Sequence, residues 1–247
     1  MSGAGWEAGA MIGLGTIINT AAIVGGGLVG LLFGRFLSEQ RQDALSKACG
    51  VSTLFIGLGG ALEGMLSVKG AALVSGGTMK IVLCLILGAL IGELLNIEDH
   101  IEGFGEWLKV KTGSARDQQF VNAFVTASLT VCIGAMAIIG AIEDGIMADP
   151  SILITKATLD FIIVMVMTSS LGRGCIFSAI PVAVFQGSVT ALARLVKPLM
   201  TPEALGGISL IGSILIFCVG VNLIWGKKIR VANLLPAVLL AAAAAGL

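Results

Sequence analysis

A chain of 247 residues with a mean hydropathy of +1.01, 12% charged residues and a formal net charge of +0 is built for lipid. An average soluble domain carries about 25% charged residues, so a water-soluble globule is excluded, and the balanced charge leaves no footprint for nucleic acid. The five cysteines, Cys49, Cys84, Cys132, Cys175 and Cys218, stand singly in or beside apolar runs, which gives neither a metal site nor a disulfide framework.

Apolar runs predict an all-α polytopic membrane protein with about eight transmembrane helices. They lie at residues 11–33, 50–68, 81–95, 120–142, 151–171, 175–195, 208–225 and 231–247. Glu7 and the lack of any basic residue before Arg35 make the first run a retained span and not a cleaved signal. Residues 37–48 read as a surface helix. Residues 97–117, with Glu98, Asp99, His100, Glu102, Glu106, Lys109, Lys111 and Arg116, read as the only sizeable aqueous loop. Basic residues concentrate after the odd-numbered spans, from Arg35, Arg41 and Lys47 to Lys227, Lys228 and Arg230. That side is expected to be cytoplasmic and both termini outside, with Trp107 and Trp225 at the inner interface and Trp6 near the outer one.

The fifth run is the focus. Asp149 can cap it, Pro150 suits a first turn, and Lys156 and Asp160 lie four apart on one helical face. Asp160 falls roughly 16 Å beyond the cap, near mid-membrane, where a charge costs at least ~2.5 kcal/mol and must face protein or water. The plain alternative is a buried ion pair that neutralises itself.

Self-similarity suggests an inverted repeat of three-helix units inside one transmembrane domain, residues 1–247. Unit one covers about residues 11–96, linking helices about 118–171, and unit two about 173–247. An offset of five spans inverts the second unit, the arrangement of many transporters, which hold substrate near the midplane between halves.

Asn19, Thr20, Gln186 and Asn222 are polar groups within spans. They serve as interhelical hydrogen bonds or line a path for a small solute or ion. Asn233 belongs to the same set, and Glu63 is a second acid at depth between Gly60 and Gly64. Glu143, Asp144 and Asp149 read as a solvated loop, with an acidic mouth for cations as the alternative. Pro181 is expected to kink the sixth span. Gly26, Gly30 and Gly34 share a face, as do Gly60 with Gly64 and Gly88 with Gly92; these stripes serve close packing within the chain or a homo-oligomer. No nucleophile–base set, phosphate loop or metal signature stands out, so neither enzyme chemistry nor a cofactor is expected.

Four phrases resemble a known family: Gly-Thr-Ile-Ile-Asn-Thr (15–20), Leu-Gly-Ala-Leu-Ile-Gly-Glu (87–93), Asp-Pro-Ser-Ile-Leu-Ile-Thr-Lys-Ala-Thr-Leu-Asp-Phe (149–161) and Val-Ala-Asn-Leu-Leu-Pro-Ala (231–237). They are similar to the bacterial membrane proteins of domain of unknown function 554, the YqgA/YdfK-like family. The resemblance implies a bacterial inner-membrane location and carries over no functional residue, although the 149–161 phrase includes Lys156 and Asp160. The residues point to a small secondary transporter or ion-coupled permease. The alternatives are a glycine-packed oligomeric channel, or a scaffold or sensor that binds a partner through residues 97–117.

Overall fold

The structure, a computed structural model, describes residues 11–69 and 72–244. Trp6, Glu7 and residues 245–247 of the expected eighth span lie outside them.

Helix α1 (Leu14–Gly34) starts behind Gly13. Helix α2 (Glu39–Met65) runs from the polar turns straight into the apolar span, so the expected surface helix and second span are one element. Gly50 does not interrupt it, because there it packs against Leu223 and Ile224. An exposed hairpin follows, β1 (Leu66–Lys69) antiparallel to β2 (Ala72–Ser75), with Leu66 opposite Ser75. Helix α3 (Thr78–Leu95) ends at Asn96, whose left-handed backbone (φ 47°) turns the chain into α4 (Ile97–Lys111). The segment expected as an aqueous loop is therefore an amphipathic helix that buries Glu98, Gly105 and Leu108. Glu98 and Asp99 in its first turn and Lys109 and Lys111 in its last suit the helix dipole.

The expected fourth span is broken. Helices α5 (Phe120–Cys132) and α6 (Ala135–Met147) meet at a bend of 63°. The β-branched residues Thr130, Val131 and Ile133 are weak helix formers, and Gly134 takes φ 153°, a backbone that favours glycine. Helix α7 (Ser151–Leu171) has the expected bounds. Asp149 Oδ1 starts it by accepting from Ser151 N at 3.0 Å and Ser151 Oγ at 2.6 Å, which also holds the Asp149 carboxyl below its usual pKa.

A 3-10 turn, Arg173–Ser178, leads into α8 (Ala179–Ala191). Pro181 sits in the first turn of α8, where a missing N–H costs nothing, so the irregularity lies ahead of it in the 3-10 turn and not at a mid-helix kink. The short α9 (Ala193–Val196) precedes α10 (Pro202–Trp225), which Thr201 caps by accepting from Ala204 N. A 3-10 turn, Val231–Leu234, then gives α11 (Pro236–Ala243). Among the described residues, six helices are long and apolar enough to cross a membrane, or seven if α5 and α6 make one span; Val231–Ala243 is shorter.

Glycine contacts give the helix directions. Gly26, Gly30 and Gly34 rest on Phe161, Met165 and Ser169, so α1 and α7 run parallel. Gly57 rests on Phe217 and Gly64 on Leu210, so α2 and α10 run antiparallel; Gly88 on Ala237 and Gly92 on Asn233 make α3 and α11 antiparallel too. A β-carbon at Gly26, Gly30 or Gly92 would collide with partner backbone, so these stripes are covered within the chain. The directions also decide the bent pair. With α1, α2 and α3 alternating, α7 can run parallel to α1 only if α5 and α6 together cross once. On that alternation the pair counts as one broken span. Helix α5 stands between two apolar clusters, turning Phe120 and Phe124 toward Ile211 and Leu215, and Ala127 and Val131 toward Ile23 and Val164.

Candidate functional site

Lys156 and Asp160 are 7% and 3% exposed, between α7, α5, α1 and α8. Lys156 Nζ donates to Asp160 Oδ1 at 2.8 Å, to Asp160 Oδ2 at 2.6 Å and to the Val131 carbonyl at 2.8 Å. The third bond exists because the helix stops. In an unbroken helix the carbonyl of Val131 would be taken by the amide four residues on. The break frees it at the negative end of α5, where an ammonium is favoured.

Asn19 on α1 lies beside the Asp160 carboxylate and donates from Nδ2 to Gln186 Oε1 on α8 at 3.2 Å. One turn nearer the start of α1, the hydroxyls of Thr16 and Thr190 lie 3.4 Å apart. Pairing 16 with 190 and 19 with 186 makes α1 and α8 antiparallel. Thr20 is half-buried and donates back to the Thr16 carbonyl at 2.8 Å. The seam is short of partners: among the described residues, Asn19 Oδ1 and Gln186 Nε2 are buried with no hydrogen bond.

Five of the expected residues therefore gather here: Asn19, Thr20, Lys156, Asp160 and Gln186. Two do not. Asn222 closes the turn after α10, accepting from the amides of Lys228 and Ile229 at 2.9 and 3.0 Å and donating to the Ile229 carbonyl at 2.7 Å. Glu63 is exposed on α2, because one residue before Gly64 is a rotation of about 100°, off the face that packs on α10.

Asp144 is also placed differently from the expected solvated loop. It is 0% exposed, beside Gly15 and Leu153, and neither carboxylate oxygen has a hydrogen-bond partner among the described residues. Ala137, Gly140, Ala141 and Asp144 form a small-residue stripe at helical spacing, the one sequence signal that could have put Asp144 on a packed face. Thr16 stands in the 15–20 phrase with no role assigned to it there, and nothing in the sequence marked Thr190.

A second charged cluster ties α4 to the turn after α10. Glu98 is 2% exposed, with Lys227 Nζ 2.6 Å from Oε1, the amide of Ala232 on Oε2 at 3.1 Å, and its own amide on Asn233 Oδ1 at 2.8 Å. Lys227 also pairs with Glu102, and Arg230 with Asp99 and with Glu93. Burial lowers the Lys227 pKa and its bonds to Glu102 and Glu98 raise it, with a net rise. A cavity of 260 Å³ lies against this cluster, lined by Glu98, Glu102, Glu106, Asn222 and Lys227. An apolar cavity of 420 Å³ reaches Cys132 and Ile133 at the helix break. Lys156 and Asp160 line neither, so both cavities stop short of the charge pair. Among the described residues no three His, Cys, Asp or Glu side chains are placed to hold a metal ion.

The seam is thus a carboxylate and an ammonium deep in a lipid-facing bundle, ringed by amides and hydroxyls, at the end of an interrupted helix. The chain matches the model of the family described as "Protein of unknown function (DUF554)" over residues 14–245. It is 31% identical over 232 residues to "Uncharacterized protein YqgA" of Escherichia coli (strain K12), spanning 92% of this chain and 94% of that one. It is 26% identical over 226 residues to "Uncharacterized membrane protein YdfK" of Bacillus subtilis (strain 168), spanning 92% and 93%. No solved structure matches it. The match runs from the first described span to the end of the last, and the chain belongs to the DUF554 family of membrane-embedded helical proteins.

Proposed function

We propose that the protein is a small secondary transporter or ion-coupled permease, with Asp160 as the proton- or cation-responsive group and Lys156 as its internal counter-ion. The observation that carries this is the broken span, which hands the Val131 carbonyl to Lys156 beside Asp160. Interrupted helices whose ends meet charged groups inside the bilayer are how transporters build ion and substrate sites. A buried pair is a poor way to gain stability, since apolar residues of the same volume commonly do as well. Intramembrane charges are therefore retained for a task.

The inverted-repeat reading supports the same conclusion. It makes α1, α2 and α3 the counterparts of α8, α10 and α11. Each of those pairs is in contact and antiparallel, as a two-fold axis in the membrane plane requires. Asn19 and Gln186 then face each other across that axis. In the cycle, an incoming cation or proton takes the place of Lys156 on Asp160, and the halves rock about the α1–α8 contact.

The test is solute and proton flux in reconstituted vesicles, comparing wild type with Asp160→Asn. Loss of gradient-coupled flux is expected, by roughly tenfold or more if the carboxylate couples the gradient. Equal flux removes Asp160 from the mechanism, and ohmic single-channel currents would favour a channel.

A further inference from the structure

We infer that Asp144 is the charged ligand of a monovalent-cation site of the sodium class, set where the first turn of α1 meets the last turns of α6 and α8. This rests on the transporter reading and supplies its coupling ion.

The geometry comes first. Asp144 is fully enclosed, its Oδ2 lies against Gly15, and neither oxygen is satisfied among the described residues. The next residue, Gly145, is pressed against the main-chain carbonyl of Thr190. Thr190 in turn shares its hydroxyl with Thr16, the neighbour of Gly15. The elements that enclose Asp144 therefore bring oxygens to this end of the seam: the Thr16 and Thr190 hydroxyls and the Thr190 main-chain carbonyl.

Among the described residues no protein cation answers the charge. The α1 span, Leu14–Gly34, holds no basic or acidic residue. On α6, Glu143 faces a different cavity shared with Ile139, Ile142 and Lys197. At the start of α7, Asp149 is exposed and bonded to Ser151, and Arg194 on α9 is exposed. No ion pair with Asp144 forms among the described residues. The last turn of a helix is also the wrong end for a bare carboxylate.

A buried carboxylate with no partner keeps its charge only where a cation balances it. One carboxylate among neutral oxygens balances a single positive charge, whereas calcium or magnesium sites gather more carboxylates. Ordered along the seam, Asp144 comes first, then Thr16 with Thr190, then Asn19 with Gln186, then Asp160 with Lys156. A cation held at Asp144 lies on the same α1–α8 seam as the Lys156–Asp160 pair.

The experiment is thermal unfolding of the purified full chain in detergent. NaCl, KCl and LiCl are titrated against choline chloride at constant ionic strength. Wild type should gain about 5 °C, saturably, with at least one inorganic cation. Asp144→Asn should lose that gain yet melt in choline no lower than wild type. Thr190→Val should need a higher concentration for half the gain, and Glu143→Gln should respond as wild type. A gain that survives in Asp144→Asn, or a wild type that melts alike in every salt, overturns the site. The readout needs no transport: a cation shift with unaffected Asp160→Asn flux leaves the site standing without the proposed mechanism. Loss of flux in Asp160→Asn with no cation shift does the reverse.

Discussion

Glu98 and Asp144 are both carboxylates sealed away from solvent, 2% and 0% exposed, yet they are treated in opposite ways. Glu98 has an ammonium on one oxygen and a main-chain amide on the other, and its backbone amide is tied to Asn233. Asp144 has no partner for either oxygen among the described residues. The Lys156–Asp160 pair lies between these extremes, neutralised inside the bundle but bordered by amide groups with spare hydrogen-bonding capacity. A carboxylate that only holds helices together has its oxygens filled by the fold. One left short keeps room for something the fold does not supply, and the cost of burying it is the physical reason to expect a ligand.

The sharpest way to break that comparison is Lys156→Met. It strands Asp160 and should cost about 3–5 kcal/mol, read as a large fall in the melting temperature of the purified protein. Lys156→Met combined with Asp160→Leu should recover most of the loss, since an apolar pair of similar volume replaces both charges. A double variant as unstable as the single one would mean the pair matters for its shape and not for charge balance.

Next in size is Glu98→Gln, which weakens the links to Lys227 and Ala232 and should cost about 1–3 kcal/mol. Asp144→Asn should cost nothing in the absence of cation, so these two carboxylate-to-amide changes are expected to part company. If both destabilise alike, the distinction between a filled and an unfilled carboxylate is lost.

The smallest effect is at Lys227, which is about half exposed. Its folded pKa lies above the ordinary 10.5, so its contribution is complete below that value and fades as pH rises through the folded pKa. Solvent screening holds it to roughly 0.5 kcal/mol. The melting temperature of wild type should fall slightly as pH rises above 10.5, a fall that weakens with added salt and is missing in Lys227→Met.

Much of the architecture was legible because bilayer solvation writes itself into composition. The α7 bounds followed from Asp149, Pro150 and a continuous apolar run, and the Lys156–Asp160 contact from a spacing of four. Gly26, Gly30 and Gly34 marked a packing face without saying that α7 would fill it. The expected loop at 97–117 turned out helical because its apolar residues repeat at helical spacing among many charges, and it buries Glu98 and Leu108 only when α5 and the turn after α10 are beside it. Asn222 was read as a path lining because an amide in a span needs a partner; the partner was the turn three residues beyond its own helix.

What the sequence determined by itself was that the chain must fold as helices in lipid, since every backbone group there needs an internal partner, and that α7 carries charges too costly to leave unpaired. What only the tertiary structure decided was which groups meet: that the fourth span breaks and lends Val131 to Lys156, that Thr16 finds Thr190, and that Asp144 turns inward against α1. Those contacts join residues far apart in the chain, and local spacing, which fixes only the face a side chain occupies, holds no information about what will be packed against it.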